Sequence, residues 1–233
     1  MVNYDDLPLF PLHVVLFPEM PLPLHIFEPR YREMILRCRE QNSPFGIVQI
    51  QSGPETGGEA VPSLVGTTAR ITQYEETGDG RMNILVFGDT RFRISRTRLV
   101  HPFLSGEVSP FSEDEVPALG VEDAYDTVAR LFKTYLRALL AMTGRSLSAL
   151  QLPGEPEALS FAIASVLQVP LGEKQKLLEM TDTTARLTRE SELLEIEIEG
   201  QSALRSVSNA DEGESGLILP ADTQALGRLS GLN

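Results

Sequence analysis

Six prolines interrupt the apolar segment from Leu7 to Met34, and this pattern restricts what the chain can fold into more than any other feature. The segment reads LPLFPLHVVLFPEMPLPLHIFEPRYREM and carries almost no charge before Glu28. Because proline has no backbone N–H to donate, such a run is typical neither of a helix nor of a central strand. It predicts short edge strands and bends that line a small, irregular barrel.

At Glu28-Pro29 the pattern changes to that of a helix. Proline suits the first helical position, because the N–H that it lacks would have no intrahelical partner there. Four apolar residues then recur at helical spacing and predict one buried face; they are Tyr31, Met34, Ile35 and Cys38.

The proline-rich segment resembles the beginning of the amino-terminal, substrate-binding domain of Lon-type ATP-dependent proteases. The similarity continues in order over about the first 200 residues. It includes FGIVQI (45–50), VGTTARI (65–71), NILVFGDTRFRI (83–94) and VPLGEKQKLLEMTDTTARL (169–187). The resemblance implies an α+β fold in which a PUA-like β pseudo-barrel is followed by an α-helical bundle. The residues that carry the motif, and that we expect to be structural, are Phe10, Pro11, Phe17, Pro18, Phe27, Glu28, Arg30, Tyr31, Gly66, Gly88, Arg91 and Phe92.

Composition along the chain predicts three parts, with residues 1–117 forming the β domain. Within this domain, Thr77–Gly80 has the chemistry of a hairpin loop, and Gly88-Asp89-Thr90 is predicted to be a second turn. Residues 118–202 form the helical subdomain. Residues 203–233 are rich in Ser, Gly and acidic residues and are predicted to be a flexible tail.

Four helices are predicted in the helical subdomain, because apolar residues recur there at steps of three and four. The first begins near Leu119, the second runs from Pro156 to before Pro170, and the third covers Glu173–Met180. The fourth begins at Thr181-Asp182, where either side chain can cap it. Residues 192–199 (ELLEIEIE) also alternate like a strand, and we favour a helix because no turn signal interrupts them.

The sequence contains no catalytic motif of a complete Lon protease. The phosphate-binding loop G-x-x-x-x-G-K-[ST] is absent, and the two domains leave no room for a Ser–Lys peptidase module. The resemblance therefore implies a stand-alone, non-catalytic recognition module that binds unfolded or damaged polypeptide, or a protein partner, in protein quality control. A small-ligand or partner-docking regulatory domain, similar to the Lon-like domain of cereblon, is the alternative. A hydrolase and an RNA-binding PUA-like protein are less favoured.

Polypeptide binding would require exposed apolar side chains, with an edge strand as a further route. The candidate contacts are Leu22, Leu24, Phe27 and Phe45, although each also suits a core position.

The net charge of −13 argues against a nucleic-acid partner. Two arginine clusters, 30–39 and 91–98, are interpreted as solvated faces paired with carboxylates. In the second cluster, strand alternation places Phe92 and Ile94 on one face and Arg91 and Arg93 on the other.

The chain is expected to need no cofactor or metal and to be cytoplasmic, without a membrane partner. Its single cysteine, Cys38, excludes an internal disulfide and a Cys-rich zinc site. His25 and Glu28 are three residues apart but precede the helix, so they should point to opposite faces of an extended segment. No apolar run reaches the roughly 18 residues that span a bilayer, and the acidic amino terminus lacks the pattern of a secretory signal.

Overall fold

The computed structural model describes residues 2, 4–55, 60–99, 101–114, 120–142 and 151–208. These residues form seven strands and five helices. The strands are β1 (Leu7–Leu12), β2 (Pro21–Ile26), β3 (Phe45–Ser52), β4 (Val61–Pro62), β5 (Val65–Glu76), β6 (Met82–Arg98) and β7 (Ser105–Pro110). The helices are α1 (Pro29–Glu40), α2 (Val121–Met142), α3 (Pro156–Val166), α4 (Leu171–Glu179) and α5 (Thr183–Ser208).

The elements divide into two units. The β unit contains the residues up to Glu113 together with Pro170–Glu179, and the helical unit contains the remainder. The division therefore differs from the predicted one, because α4 belongs with the strands. A buried hydrogen bond joins α4 to the strands: Gln175 Nε2 donates to the carbonyl oxygen of Val65 at 3.0 Å.

Five strands of the β unit close into a ring in the order β1-β7-β6-β5-β3, because β3 also pairs with β1. The β1–β3 pair is parallel and places Leu9 opposite Gly46, whereas the other four pairs are antiparallel. β2 and β4 are appended to this ring, on β6 and β3 respectively. The predicted α+β class with a β pseudo-barrel is confirmed.

The prolines of β1 do not confine it to an edge, so that part of the sequence interpretation was wrong. β1 pairs with β7 through Leu7 and Pro8, and with β3 from Leu9 to Leu12. Pro8 therefore belongs to the short β1–β7 ladder and Pro11 to the short β1–β3 ladder, and each ladder needs few N–H donors from β1. By contrast, β2 pairs only with β6 among the described residues and is an edge strand, as predicted.

Gly88 lies inside the continuous strand β6, so the turn predicted at residues 88–90 does not exist. Its N–H donates to the Met20 carbonyl oxygen at 3.0 Å, and its own carbonyl oxygen accepts from the Glu19 N–H at 2.9 Å. A Cβ atom at this position would lie 2.1 Å from the Phe17 carbonyl oxygen. Glycine is required here for close approach of two backbones rather than for a turn. The hairpin predicted at Thr77–Gly80 is confirmed.

Helix α1 covers one side of the barrel with the face that the sequence predicts. Tyr31, Met34, Ile35 and Cys38 are all buried. The ring of Tyr31 packs 4.1 Å from that of Phe10, and burial raises the pKa of Tyr31 to about 12. A second apolar cluster lies among the strands and consists of Leu7, Leu9, Val48, Phe92, Ile94 and Val108.

Arg91 is buried although it lies on the strand face that alternation assigns to solvent. Its Nη1 donates to the Leu178 carbonyl oxygen at 2.7 Å, and its Nη2 forms an ion pair with the Glu113 carboxylate. The guanidinium also lies 4.9 Å from the ring centre of Phe111. Arg91 thus connects β6 to α4 and to the segment that follows β7.

The four predicted helices form near their expected bounds: α2, α3 and α5 make up the helical unit, and α4 belongs to the β unit. Asp182 caps α5, because its Oδ1 accepts the Ala185 N–H at 3.0 Å. Residues 192–199 are helical, as favoured. α5 continues to Ser208, so residues 203–208 are helical rather than part of a flexible tail. The rest of that predicted tail, 209–233, lies outside the described residues.

A polar network lies in the interior of the helical unit. Arg186, Glu190 and Ser160 each have no exposed surface. Arg186 Nε donates to Ser160 Oγ at 2.6 Å, and Ser160 Oγ donates to Glu190 Oε1 at 2.8 Å. The guanidinium also donates to the Met180 carbonyl oxygen at 2.8 Å. This network holds α3 and α5 in one register.

Candidate polypeptide-binding surface

The edge strand β2 presents two different faces, because side chains alternate along a strand. Leu22 and Leu24 are partly buried and pack against the apolar cluster beneath α1, and Ile26 is fully buried. Pro23, His25 and Phe27 are exposed. We call these three residues the β2 stripe.

Phe27 is the most prominent apolar group of the β2 stripe, with 52% of its surface exposed. Its ring lies 6.1 Å from that of His25, with an angle of 26° between the two planes. His25 is held in turn by a hydrogen bond of 2.8 Å between Nδ1 and Asn83 Oδ1 on β6. The rings of His25 and Phe27 therefore form a small exposed aromatic surface, in which His25 is held by Asn83.

Glu28 and Arg30 lie where the chain passes from the β2 stripe into α1. Their side chains form an ion pair at 3.0 Å. The Arg30 guanidinium also lies 4.4 Å from the ring centre of Tyr31. The ion pair and the stacked guanidinium therefore lie at the junction between Phe27 and α1.

The prolines of β2 restrict how a ligand can bind. In an antiparallel ladder, alternate residues direct their N–H groups to the same neighbour. Pro21 and Pro23 have no N–H, so pairing with β6 relies on the N–H groups of Leu22 and Leu24. The unpaired edge then lacks donors at both proline positions, which disfavours the addition of a peptide strand. A ligand at this surface would be held through side chains.

The structure separates the four predicted contacts. Phe27 is exposed, Leu22 and Leu24 line the inner face of β2, and Phe45 is completely buried with its ring 6.4 Å from that of Phe10. Phe45 is therefore a core residue and not a surface contact. Sequence reasoning missed Pro23 and His25, although their positions two and four residues before Phe27 place all three on one face of an extended segment.

The arginine clusters are largely neutralised or stacked within the β unit. Arg37 lies 3.8 Å from the Asp6 carboxylate, and Arg98 lies 2.9 Å from that of Glu107. Arg39 and Arg93 stack on aromatic rings. The interpretation of these clusters as paired or solvated faces agrees with this geometry.

Reactive groups do not converge on the β2 stripe. Cys38 is buried, and burial raises the pKa of its thiol to about 11. His101 lies away from β2, with Nε2 2.8 Å from Arg37 Nη1. Among the described residues, no group of three or more His, Cys, Asp and Glu side chains is arranged to hold a metal ion. In the same part of the chain, no helix is both long and apolar enough to cross a membrane.

Residues 6–195 match the family model of the substrate-binding domain of ATP-dependent protease La (LON). The chain is 30% identical over 200 residues to a Lon protease of Xanthomonas oryzae, and these cover 84% of the chain but 23% of that protein. It is 28% identical over 215 residues to Lon protease 2 of Syntrophobacter fumaroxidans, covering 87% of the chain and 27% of the relative. The chain thus spans about a quarter of the length of these curated relatives.

Solved structures give the same result. The crystal structure of a Lon N-terminal domain protein from Xanthomonas campestris is 29% identical, with a TM-score of 0.57, covering 79% of this chain and 96% of that one. The N-terminal domain of a Lon protease from the Mycobacterium avium complex has the same fold, with a TM-score of 0.60 over 82% of this chain and 98% of that one. Its identity of 19% supports the fold alone. With the family model matching most of its length, this chain belongs to the family of Lon substrate-binding domains.

Proposed function

We propose that this chain is a non-catalytic recognition module, which binds exposed apolar segments of unfolded or damaged polypeptides, or of a protein partner, through the β2 stripe. The observation that carries the proposal is the exposure of Phe27 beside His25, at the end of a strand whose free edge lacks N–H donors at two prolines. The family match to a substrate-binding domain supports the same role.

The β2 stripe suits ligands of variable sequence. Burying an exposed phenylalanine contributes about 1.5–3 kcal/mol and has little directional requirement. The prolines disfavour backbone pairing, so binding does not depend on the ligand adopting a strand. A surface of this kind would recognise apolar side chains that a folded protein keeps inside.

The cellular setting belongs to the same proposal. The free, buried thiol of Cys38 suits a reducing compartment, and we place the protein in cytoplasmic quality control. We propose a polypeptide as its partner, rather than a nucleic acid or a membrane, and action without a cofactor.

The proposal is tested by fluorescence anisotropy of a labelled, permanently unfolded polypeptide titrated with the purified chain. We expect saturable binding that changes by less than about twofold between roughly 0.05 M and 0.5 M salt, because apolar contacts are not screened. Absence of binding at tens of micromolar would contradict polypeptide recognition. Cleavage of the probe, or turnover of added ATP, would contradict the non-catalytic assignment.

A further inference from the structure

Helix α2 carries a row of cations on its exposed face. Arg130, Lys133 and Arg137 are all exposed and lie at steps of three and four residues, which places them on one side of the helix. The opposite side of α2 is buried through Val128 and Phe132. Because a helix rises 1.5 Å per residue, the row extends over about 10 Å.

The three cations line an open groove of about 410 Å³ in the helical unit. Ala129 and Leu152 add apolar surface to this groove. One wall is held in place by Tyr125, whose hydroxyl donates to the Pro153 carbonyl oxygen at 2.8 Å. Asp126 at one end supplies the groove's only carboxylate among the described residues.

No ion pair joins these three cations to a carboxylate among the described residues, which distinguishes them from most other exposed cations. Arg70, Arg81 and Arg98, for example, lie 2.9–3.4 Å from carboxylates. The sequence between α2 and Leu152, TGRSLSAL (143–150), contains a further arginine and no acidic residue. Within the part of the chain that the structure describes, the row is therefore an unneutralised positive surface, on a chain whose net charge is −13.

We propose that this groove binds an acidic polypeptide segment, in which closely spaced Asp or Glu side chains pair with Arg130, Lys133 and Arg137. Charge complementarity favours this occupant, since an extended peptide covers about 10 Å with three residues. Ala129 and Leu152 accommodate the apolar atoms between the carboxylates. The site is independent of the β2 stripe and does not depend on the function proposed for it.

The test is an anisotropy titration of the full chain with a Glu-rich peptide carrying an uncharged dye. We expect saturable binding that weakens with salt, because the contacts are exposed ion pairs. The variant Arg130→Glu, Lys133→Glu, Arg137→Glu is expected to lose at least about tenfold in affinity, since three attractions become repulsions.

The matched control is Arg70→Glu, Arg96→Glu, Arg98→Glu, which changes the net charge equally on the β unit and is expected to alter affinity by less than about threefold. Circular dichroism checks that both variants are folded. If charge reversal disrupts α2, the same titration is made with the variant in which Arg130, Lys133 and Arg137 are replaced by glutamine. Equal losses in the two variants, or binding of a single-stranded RNA of the same charge without binding of the peptide, would overturn the proposal.

Discussion

Replacing Arg186 with methionine is expected to lower the free energy of unfolding of the helical unit by about 3–5 kcal/mol, which makes it the most damaging single replacement considered. The guanidinium is fully buried and donates to Ser160 Oγ, to the Met180 carbonyl oxygen and, at 3.3 Å, to Thr183 Oγ1. Methionine fills much of the volume but leaves these acceptors, and the nearby Glu190 carboxyl, without the cation.

The loss of stability in the Arg186→Met variant should also depend on pH. Burial raises the pKa of Glu190 well above its ordinary value, whereas the Ser160 hydroxyl and the Arg186 charge lower it. The folded state therefore holds the proton more tightly than the unfolded state, and stability falls as pH rises from the ordinary pKa to the raised one. Without Arg186 the pKa rises further, so the variant should continue to lose stability up to a higher pH than the wild type, and the two proteins are compared at about pH 5 and pH 8.

Urea denaturation followed by far-ultraviolet circular dichroism at both pH values measures this effect. Arg189→Met is the matched control in the same helix, because the Arg189 side chain is 41% exposed and pairs with Glu192 at 2.8 Å. The free energy of unfolding of this control is expected to change by less than about 1 kcal/mol. The double variant Arg186→Met, Glu190→Leu should recover part of the loss, since no buried charge remains unpaired. Equal effects of the two single arginine variants would contradict a structural role for the buried network.

Replacing Arg91 with methionine is expected to destabilise the β unit by about 2–4 kcal/mol. The Leu178 carbonyl oxygen would lose its charged donor, and the Glu113 carboxylate, of which 16% of the side chain is exposed, would lose its cation. Since both partners lie outside the strands, α4 and residues 111–113 should loosen before the barrel opens. Hydrogen exchange of the amides of residues 171–179 is therefore expected to accelerate.

Arg93→Met provides the control for this replacement, because Arg93 is exposed on the same strand and lies 4.5 Å from the same ring, Phe111. Loss of that stacking is expected to cost about 0.5–1 kcal/mol. Arg91→Lys should rescue little, because an ammonium cannot reproduce the forked geometry of a guanidinium that bonds two partners. Unchanged exchange in α4 of the Arg91→Met variant would contradict the anchoring role.

Local patterns were sufficient to predict several elements. The proline at position 29 and the spacing of Tyr31, Met34, Ile35 and Cys38 predicted α1 and its buried face, because both signals act within one or two turns. A cap at Thr181 or Asp182 was predicted for the same reason, and Asp182 supplies it. These features depend on neighbours in sequence and on little else.

Features that depend on distant residues were not predictable from the same patterns. Alternation assigned Arg91 to solvent, but its face is covered by a helix that lies 87 residues further along the chain. Gly88 was interpreted as a turn, because the sequence does not show that the Phe17 backbone approaches it. β1 was interpreted as an edge strand, because proline content does not reveal which strands lie on its two sides.

The candidate site was predicted only in part, because the exposure of its side chains depends on residues that are distant in the sequence. The segment that contains Leu22, Leu24 and Phe27 could be singled out by its apolar character. Which of these side chains face solvent follows from the register of β2 on β6, which the order of residues alone does not give. Phe45 was included because it is apolar, and only its contacts in the core exclude it from the surface.

The most direct test of the account compares two variants in the titration with unfolded polypeptide. Phe27 and Leu64 are similarly exposed, at 52% and 56%, but Leu64 adjoins the opposite half of β6, to which it is joined by the Ile94 N–H at 2.7 Å. We predict that Phe27→Ala weakens binding about tenfold or more, whereas Leu64→Ala changes it by less than about twofold. Equal affinities of the wild type and Phe27→Ala would contradict recognition through the β2 stripe.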